Sequence, residues 1–320
     1  MSATPAMGID IGGTKIAGAL VGADGTITHR EQVETPEDDT TAILDATAEL
    51  IATLEDAAGD RVDAVGMACA AFVDGSTGRV WFAPNLPWRD LDVAAEVGRR
   101  AGREVLVDND ANAAAWGEYR HGAGRDCRDM LLVTVGTGVG GGCIVDDRLV
   151  RGAHGIGGEI GHITVDPQGP RCGCGNDGCL EVFASGTALE RTARELIAST
   201  DPKGAGLRER CGGDPEALTG RDVTDLARAG DAGAVALFTD LGTHLGEGLA
   251  SVCAVLDPAL VVIGGGVADT GSLLLDPAEE AFAAHLIGRG HRPSPRVVVA
   301  ELGNDAGLVG AATLAREVLA

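Results

Sequence analysis

An Asn-Asp pair, a run of soft ligands and two glycine-threonine loops are the parts of this 320-residue chain that could do chemistry. Asn109-Asp110-Ala111-Asn112 follows the apolar run Glu104-Val-Leu-Val-Asp108, where a buried strand should meet a helix. Asn and Asp both favour the N-cap of a helix. A carboxylate at the carboxyl edge of a sheet is also where α/β proteins place ligands, and it could accept a hydroxyl proton as that oxygen attacks a γ-phosphate. The local sequence admits both readings, and they are compatible.

His162, Cys172, Cys174 and Cys179 have the spacing H-x9-C-x-C-x4-C. Four soft ligands in one segment suit tetrahedral zinc, and a closed set of protein ligands would make the ion structural. Gly173, Gly175 and Gly178 permit the tight turns of a metal knuckle. C-x-C is not the common finger spacing, but unmetallated thiols would leave this segment with little to order it. The other cysteines are isolated, which argues against a disulfide framework. Glu159, His162 and Glu181 bracket the segment. Two carboxylates and an imidazole suit a polyhydroxylated ligand, although each alone is more often a solvated acid or a satisfied histidine.

Gly8-Ile-Asp-Ile-Gly-Gly-Thr-Lys15 and Thr134-Val-Gly-Thr-Gly-Val-Gly-Gly-Gly142 read as strand-loop-strand phosphate cradles. Their glycines let the backbone approach a phosphate, to which amides and threonine hydroxyls donate. Two cradles suggest a nucleotide held between two similar halves. Gly136-x-Gly138-x-x-Gly141 is also a dinucleotide-binding pattern, but that pattern should run from a strand into a helix. Here it runs into Cys143-Ile-Val-Asp-Asp-Arg-Leu-Val150, a hairpin with an Asp-Asp turn. No Gly-Lys-Ser/Thr triplet occurs, so a P-loop is excluded. Gly264-Gly-Gly-Val267 could let the backbone approach an adenosine, or be a simple β-to-α turn.

The elements that must position these residues follow the apolar pattern. Strands are predicted near 6–11, 15–22 and 27–33, a helix over 39–58, and a strand over 62–68. A strand at 104–108 feeds a helix at 110–120, and a strand at 130–136 precedes the hairpin. The segment 151–180 is irregular. Helices dominate 185–256, the last over 241–256, then come a strand at 259–263 and a terminal helix over 307–315. This is an α/β chain long enough for two domains.

The formal net charge of −23 argues against a nucleic-acid partner. Lys15 and Lys203 are the only lysines, against 23 arginines, and 29 Asp exceed 19 Glu. Such an acidic, lysine-poor surface fits a halophile, whose salt screens the self-repulsion. The longest apolar runs, such as Ala259–Ile263, are too short to cross a bilayer, and the N-terminus lacks a signal-peptide pattern. No membrane partner and a cytoplasmic location are therefore expected.

Taken together, the chain resembles the ROK family of sugar kinases and repressors, within the actin-like ATPase superfamily. The resemblance is carried by DIGGTK at 10–15, NDANAAAWGE at 109–118, GTGVGGG at 136–142, GEIGH at 158–162, CGCGNDGC at 172–179 with Leu180-Glu181, and ALVVIGGGV at 259–267. It is strongest toward ATP-dependent glucokinases. The resemblance implies two actin-like (ribonuclease H-like) domains with a cleft between them. They would comprise a smaller one over 1–120, onto which a helix at about 305–320 packs back, and a larger one over 121–304 carrying a zinc insertion at about 159–181. It further implies that Asp110 deprotonates a sugar 6-hydroxyl, and that Asn85, Asn109, Asp110, Glu159, His162 and Glu181 hold the sugar. Asp10, Gly12, Gly13, Thr14, Lys15, Thr137 and Gly138 would surround the phosphates of ATP and Mg²⁺, with Gly264, Gly265 and Gly266 near adenosine. His162 would bind zinc through one ring nitrogen, with Cys172, Cys174 and Cys179, and face the sugar with the other. A homodimer or homotetramer is the implied assembly.

Two departures bear on sugar choice. The family often has Gly-Ala-Pro-Gly where this chain has Ala68-Cys69-Ala70-Ala71, and a polar residue where Val182-Phe183 follows Glu181. A glucokinase is the leading reading, with fructose, mannose or an N-acetylhexosamine as other acceptors. A sugar-responsive repressor is disfavoured, because about seven residues precede the first cradle and the chain is acidic. A catalytically dead sensor is disfavoured by Asp110 and both cradles, and a polyphosphate donor by the acidic surface.

Overall fold

The computed structural model describes residues 5–37 and 39–319. The chain opens with strands β1 (Ala6–Ile11), β2 (Lys15–Val21) and β3 (Ile27–Glu34). Helix α1 (Thr40–Ala58) follows, capped by Asp39, whose carboxylate accepts from the Thr41 and Ala42 amides, and closed by Gly59 at φ 71°. Its buried residues Ile43, Leu44, Thr47, Leu50, Ile51 and Leu54 recur at helical spacing and face the sheet. Each fully buried Leu or Ile there contributes roughly 2 kcal/mol.

Next come β4 (Val65–Cys69), the short strands β5 (Phe72–Asp74), β6 (Arg79–Phe82) and β7 (Arg89–Asp92), and α2 (Val93–Ala101). Strand β8 (Leu106–Asn109) then runs into α3 (Asp110–His121). The first sheet has the order β3-β2-β1-β4-β8: an antiparallel meander on one side, and β1, β4 and β8 parallel on the other. Strands β5, β6 and β7 form a separate antiparallel sheet.

The second half holds β9 (Met130–Val135), β10 (Val139–Val145) and β11 (Arg148–Leu149). After the irregular Gly- and Cys-rich segment come α4 (Glu181–Ala184), α5 (Gly186–Ala198), α6 (Ala205–Arg210), α7 (Gly220–Arg228) and α8 (Ala232–Leu256). The chain closes with β12 (Leu260–Gly264), α9 (Ser272–His285), β13 (Arg296–Val299) and α10 (Ala306–Leu319). The second sheet, β11-β10-β9-β12-β13, repeats the strand order of the first, with an antiparallel hairpin at one end and a parallel pair at the other. This duplicated order is that of the actin-like (ribonuclease H-like) fold.

Two compact units result: Met1–Leu132 with Gly141–Gly158 and Ala300–Ala320, and Val133–Gly140 with Glu159–Val299. In the first, α10 lies on β1, β4 and α3. The approach is close because Gly8 and Gly310 have no Cβ; one added there would overlap the carbonyls of Leu308 and Ala113. In the second, α8 and α9 pack together along their length.

Helix α8 starts nine residues before the predicted 241, where the Asp231 side chain accepts from the Ala234 amide. Its internal glycines are tolerated because they admit a neighbour: a Cβ on Gly246 would overlap the carbonyl of Ala278 on α9. Among the described residues no helix is long and apolar enough to cross a membrane.

Candidate active site

The first unit carries the acid-base candidates. Parallel registers align Asp10 with Ala68 and Ala68 with Asp108, then Ile11 with Cys69 and Cys69 with Asn109. Asp10, Cys69, Asn109 and Asp110 therefore gather at the carboxyl ends of three adjacent strands, where α/β sheets bind ligands.

Asn109, not Asp110, is the residue that caps α3: its Oδ1 accepts from the Asn112 amide at 3.0 Å, and its Nδ2 donates to the Ala71 carbonyl at 3.1 Å. Asp110 occupies the first helical position, and its Oδ1 accepts from the Ala111 amide at 2.9 Å. Burial, followed by the negative charge of Asp10, pushes the Asp110 carboxyl up to about 6. Burial also raises Asp10, with Lys15 acting against it. The Cys69 thiol is pushed well above its usual range by burial and by Asp10, Asp110 and Asp108, so it stays protonated.

The loop after β1 is tied down by backbone: the Gly12 amide donates to Lys15 O at 3.0 Å, Thr35 Oγ1 to Gly12 O at 2.8 Å, and the Thr35 amide to Thr14 O at 3.1 Å. Gly13, Thr14 and Lys15 are exposed. Asn85 is exposed beside the same loop; a Cβ on Gly13 would come within 2.9 Å of its carbonyl oxygen.

The second unit carries the other glycine-threonine loop. The Gly136 amide donates to Gly138 O at 2.9 Å, making a tight turn with Thr137 at its exposed tip. Thr187 Oγ1 donates to Thr137 O at 2.7 Å, and the Gly186 amide to Gly136 O at 2.7 Å. A cavity of about 720 Å³ opens beside this turn, lined among others by Thr137, Thr187, Glu190, Arg221, Arg228 and Gly266. Of the three consecutive glycines, Gly266 reaches the cavity, Gly264 ends β12 in the core, and Gly265 at φ 88° sits against the backbone of Val135. The polar residues contributed by α5 and α7 carry no sequence signal that separates them from solvated helix faces.

His162, Cys172, Cys174 and Cys179 converge so that one ligand atom from each lies within 4.8 Å of the others. Cys172 Sγ is 3.6 Å from His162 Nδ1, and Cys174 Sγ is 3.6 Å from Cys179 Sγ. Tetrahedral zinc with Zn–S bonds near 2.3 Å separates its ligands by about 3.8 Å, so the donor set fits that ion. The His162 ring turns Nδ1 to the thiols and Nε2 toward Glu159, whose Oε2 lies 3.9 Å away. Glu181 accepts from the Val139 amide at 3.0 Å and approaches Cys172. Phe183, one of the departures noted in the sequence, stacks on His244 of α8 with ring centroids 4.9 Å apart.

Arg151, which no sequence pattern marks, pairs its guanidinium with Asp108, the buried carboxylate next to the Asn109-Asp110 pair.

The model of the ROK family matches residues 6–318. The chain is 42% identical to the glucokinase of Streptomyces coelicolor, over 97% of each chain. It is 34% identical to the N-acetylmannosamine kinase of Escherichia coli O157:H7, over 97% of this chain and 98% of that one. Among solved structures, it resembles a ROK family glucokinase from Streptomyces griseus in complex with glucose and AMPPNP. The TM-score is 0.88 and the identity 44%, covering 98% of this chain and 99% of that one.

Proposed function

Because the chain belongs to the ROK family, we propose that it is an ATP-dependent hexose kinase that phosphorylates D-glucose on its 6-hydroxyl, with Asp110 as general base. The observation that carries the assignment of the base is the division of labour at β8–α3. Asn109 supplies the helix cap, which leaves the Asp110 carboxylate at the sheet edge with a proton affinity near neutrality. Asp110 takes the hydroxyl proton as the sugar oxygen attacks the γ-phosphorus of MgATP; the β,γ-bridging bond breaks, ADP departs, and the proton is released to solvent. Asn85, Asn109, Glu159, His162 and Glu181 are the proposed sugar contacts. Asp10, Gly12, Gly13, Thr14, Lys15, Thr137 and Gly138 are the proposed surroundings of the phosphates and Mg²⁺. The cavity beside Gly266 has the size of a small-molecule site and takes the adenosine. Glucose as the acceptor draws its support from the glucokinase relatives.

His162, Cys172, Cys174 and Cys179 would hold structural zinc, which supplies no chemistry to the transfer but fixes the His162 ring and the knuckle. The net charge of −23 supports a halophilic protein, and the family resemblance a homodimer or homotetramer.

A coupled ADP-release assay with MgATP in concentrated KCl tests the reading across glucose, fructose, mannose, N-acetylmannosamine and N-acetylglucosamine. Glucose should give the highest kcat/KM. Preference for N-acetylmannosamine would keep the mechanism and replace the substrate, as the 34% identical relative makes concrete.

A further inference from the structure

Glu181 lies two residues after Cys179 and begins α4. Its Oε2 accepts a hydrogen bond from the Val139 amide at 3.0 Å. Val139 is the residue at which the Gly136-Thr137-Gly138 turn enters β10. Gly138 leaves the room this contact needs, since a Cβ there would overlap Oε2. Glu181 Oε1 is 3.7 Å from Sγ of Cys172, a member of the ligand cluster.

The backbone around Glu181 is held by that same cluster segment. The Leu180 amide donates to Ile163 O at 2.9 Å, the Val182 amide to Cys179 O at 3.1 Å, and Cys179 and Leu180 are both fully buried. Little slack therefore separates Cys179 of the ligand cluster from the carboxylate that holds the Val139 amide. A loop amide pinned at 3.0 Å by a part-buried carboxylate does not sample other directions, and such preorganisation is what lets a backbone cradle bind phosphate tightly.

We infer that Glu181 is a strut between the Cys/His cluster and the Thr137–Val139 loop, so that metal occupancy governs how tightly the loop holds a nucleotide's phosphates even when no sugar is bound. This rests on the proposed reading of the cluster as a zinc site and of the loop as a phosphate cradle. It gives Glu181 a positioning role in the second unit beyond any contact it makes with sugar. Removing a partner beyond the direct ligands of a metal site typically costs about 10–100-fold in metal affinity or activity, and the effect expected on the nucleotide is placed at the low end of that scale.

The experiment is calorimetric titration of Mg·AMPPNP without sugar into the full chain, with zinc content measured on the same samples by atomic absorption. Four proteins are compared: wild type, chelator-treated wild type, Glu181→Ala and Glu181→Gln, each checked for folding by circular dichroism. Glu181→Ala with metal bound should bind the nucleotide roughly tenfold more weakly. Chelation should weaken wild type by a similar factor and add almost nothing to Glu181→Ala. Glu181→Gln keeps an oxygen for the Val139 amide and should stay within about twofold of wild type. Two results overturn the inference: Glu181→Ala binding as wild type does, or chelation weakening Glu181→Ala and wild type equally. A chain that takes up no zinc overturns the metal coupling by removing its premise. The zinc measurement identifies that case separately from a failed strut.

Discussion

Arg151 closes its guanidinium on one oxygen of Asp108: Nε and a terminal nitrogen each lie 2.7 Å from Oδ2. The other oxygen accepts from the Asn109 amide at 2.8 Å and from Asn112 Nδ2 at 3.1 Å. Four donors thus satisfy a carboxylate that is 2% exposed, immediately before the Asn109-Asp110 pair. The ion pair also tethers the segment following β11 to the end of β8, and the arginine stem lies where a Cβ on Gly75 would be.

Removing the arginine leaves that buried charge unpaired. Arg151→Met should therefore lower the free energy of unfolding by about 2–4 kcal/mol, somewhat below a fully buried pair because Arg151 keeps part of its surface in water. Adding Asp108→Asn should cost less than the sum of the two single changes, since the double variant carries no orphaned charge. Urea unfolding at neutral pH checks both. A loss under about 0.5 kcal/mol for Arg151→Met would show the pair to be dispensable.

The pH dependence follows from Asp110. A base must be unprotonated to act, so kcat/KM should fall as pH drops through about 6, with a limb that Asp110→Asn abolishes. Stability moves the opposite way to the common carboxylate case. The folded state holds the proton more tightly than the unfolded chain, whose aspartates titrate near 3.8. The charged form therefore destabilises the fold fully above pH 6, and this penalty fades as pH falls from 6 toward 4. Asp110→Asn should accordingly unfold at higher temperature than wild type at pH 8, by an amount worth on the order of 1–2 kcal/mol, with the difference shrinking by pH 4.5. Thermal scans at the two pH values measure it.

Metal removal should act on the second unit. One zinc per chain is expected by atomic absorption. Cys179→Ser, at a fully buried ligand position, should lose most of it and lower the melting temperature. Chelation of that variant should then change its melting temperature little. A variant that retained stoichiometric zinc would exclude Cys179 as a ligand.

The surface charge predicts salt-dependent stability. Raising KCl from about 0.1 M to about 2 M should raise the melting temperature by roughly 10 °C, because screening relieves the self-repulsion of a net −23 chain. A flat or falling curve would remove the halophilic reading.

Legibility in the sequence followed the range of the interactions. Strands β1, β2 and β9, the helices α1 and α3, and the convergence of His162 with three cysteines could be read because each depends on local alternation, capping or short spacing. Which of Asn109 and Asp110 caps α3 was not legible, because both residue types favour that position; the Asn112 amide donates to Asn109. The sheet of β5, β6 and β7 left no readable pattern, because its strands run three or four residues with mixed exposure. Helix α9 carries Pro277 inside it, which reads as a breaker. Arg151 and Asp108 stand 43 residues apart, and nothing local marks them as partners. Thr187 resembles any helix-start threonine until its hydroxyl is seen on Thr137 O.

Asp110 as the base is tested most sharply by single-turnover transfer from Mg·ATP to glucose by wild type and Asp110→Asn, with nucleotide and glucose binding measured on the same proteins. Loss of a general base costs about 10²–10⁴ in rate. Asp110→Asn should show a fall of that size in the transfer step, with both ligands bound within a few-fold of wild type. A variant that kept a tenth or more of the wild-type transfer rate would contradict Asp110 as the base. Absence of transfer to glucose by the wild-type protein would contradict the proposed reaction itself.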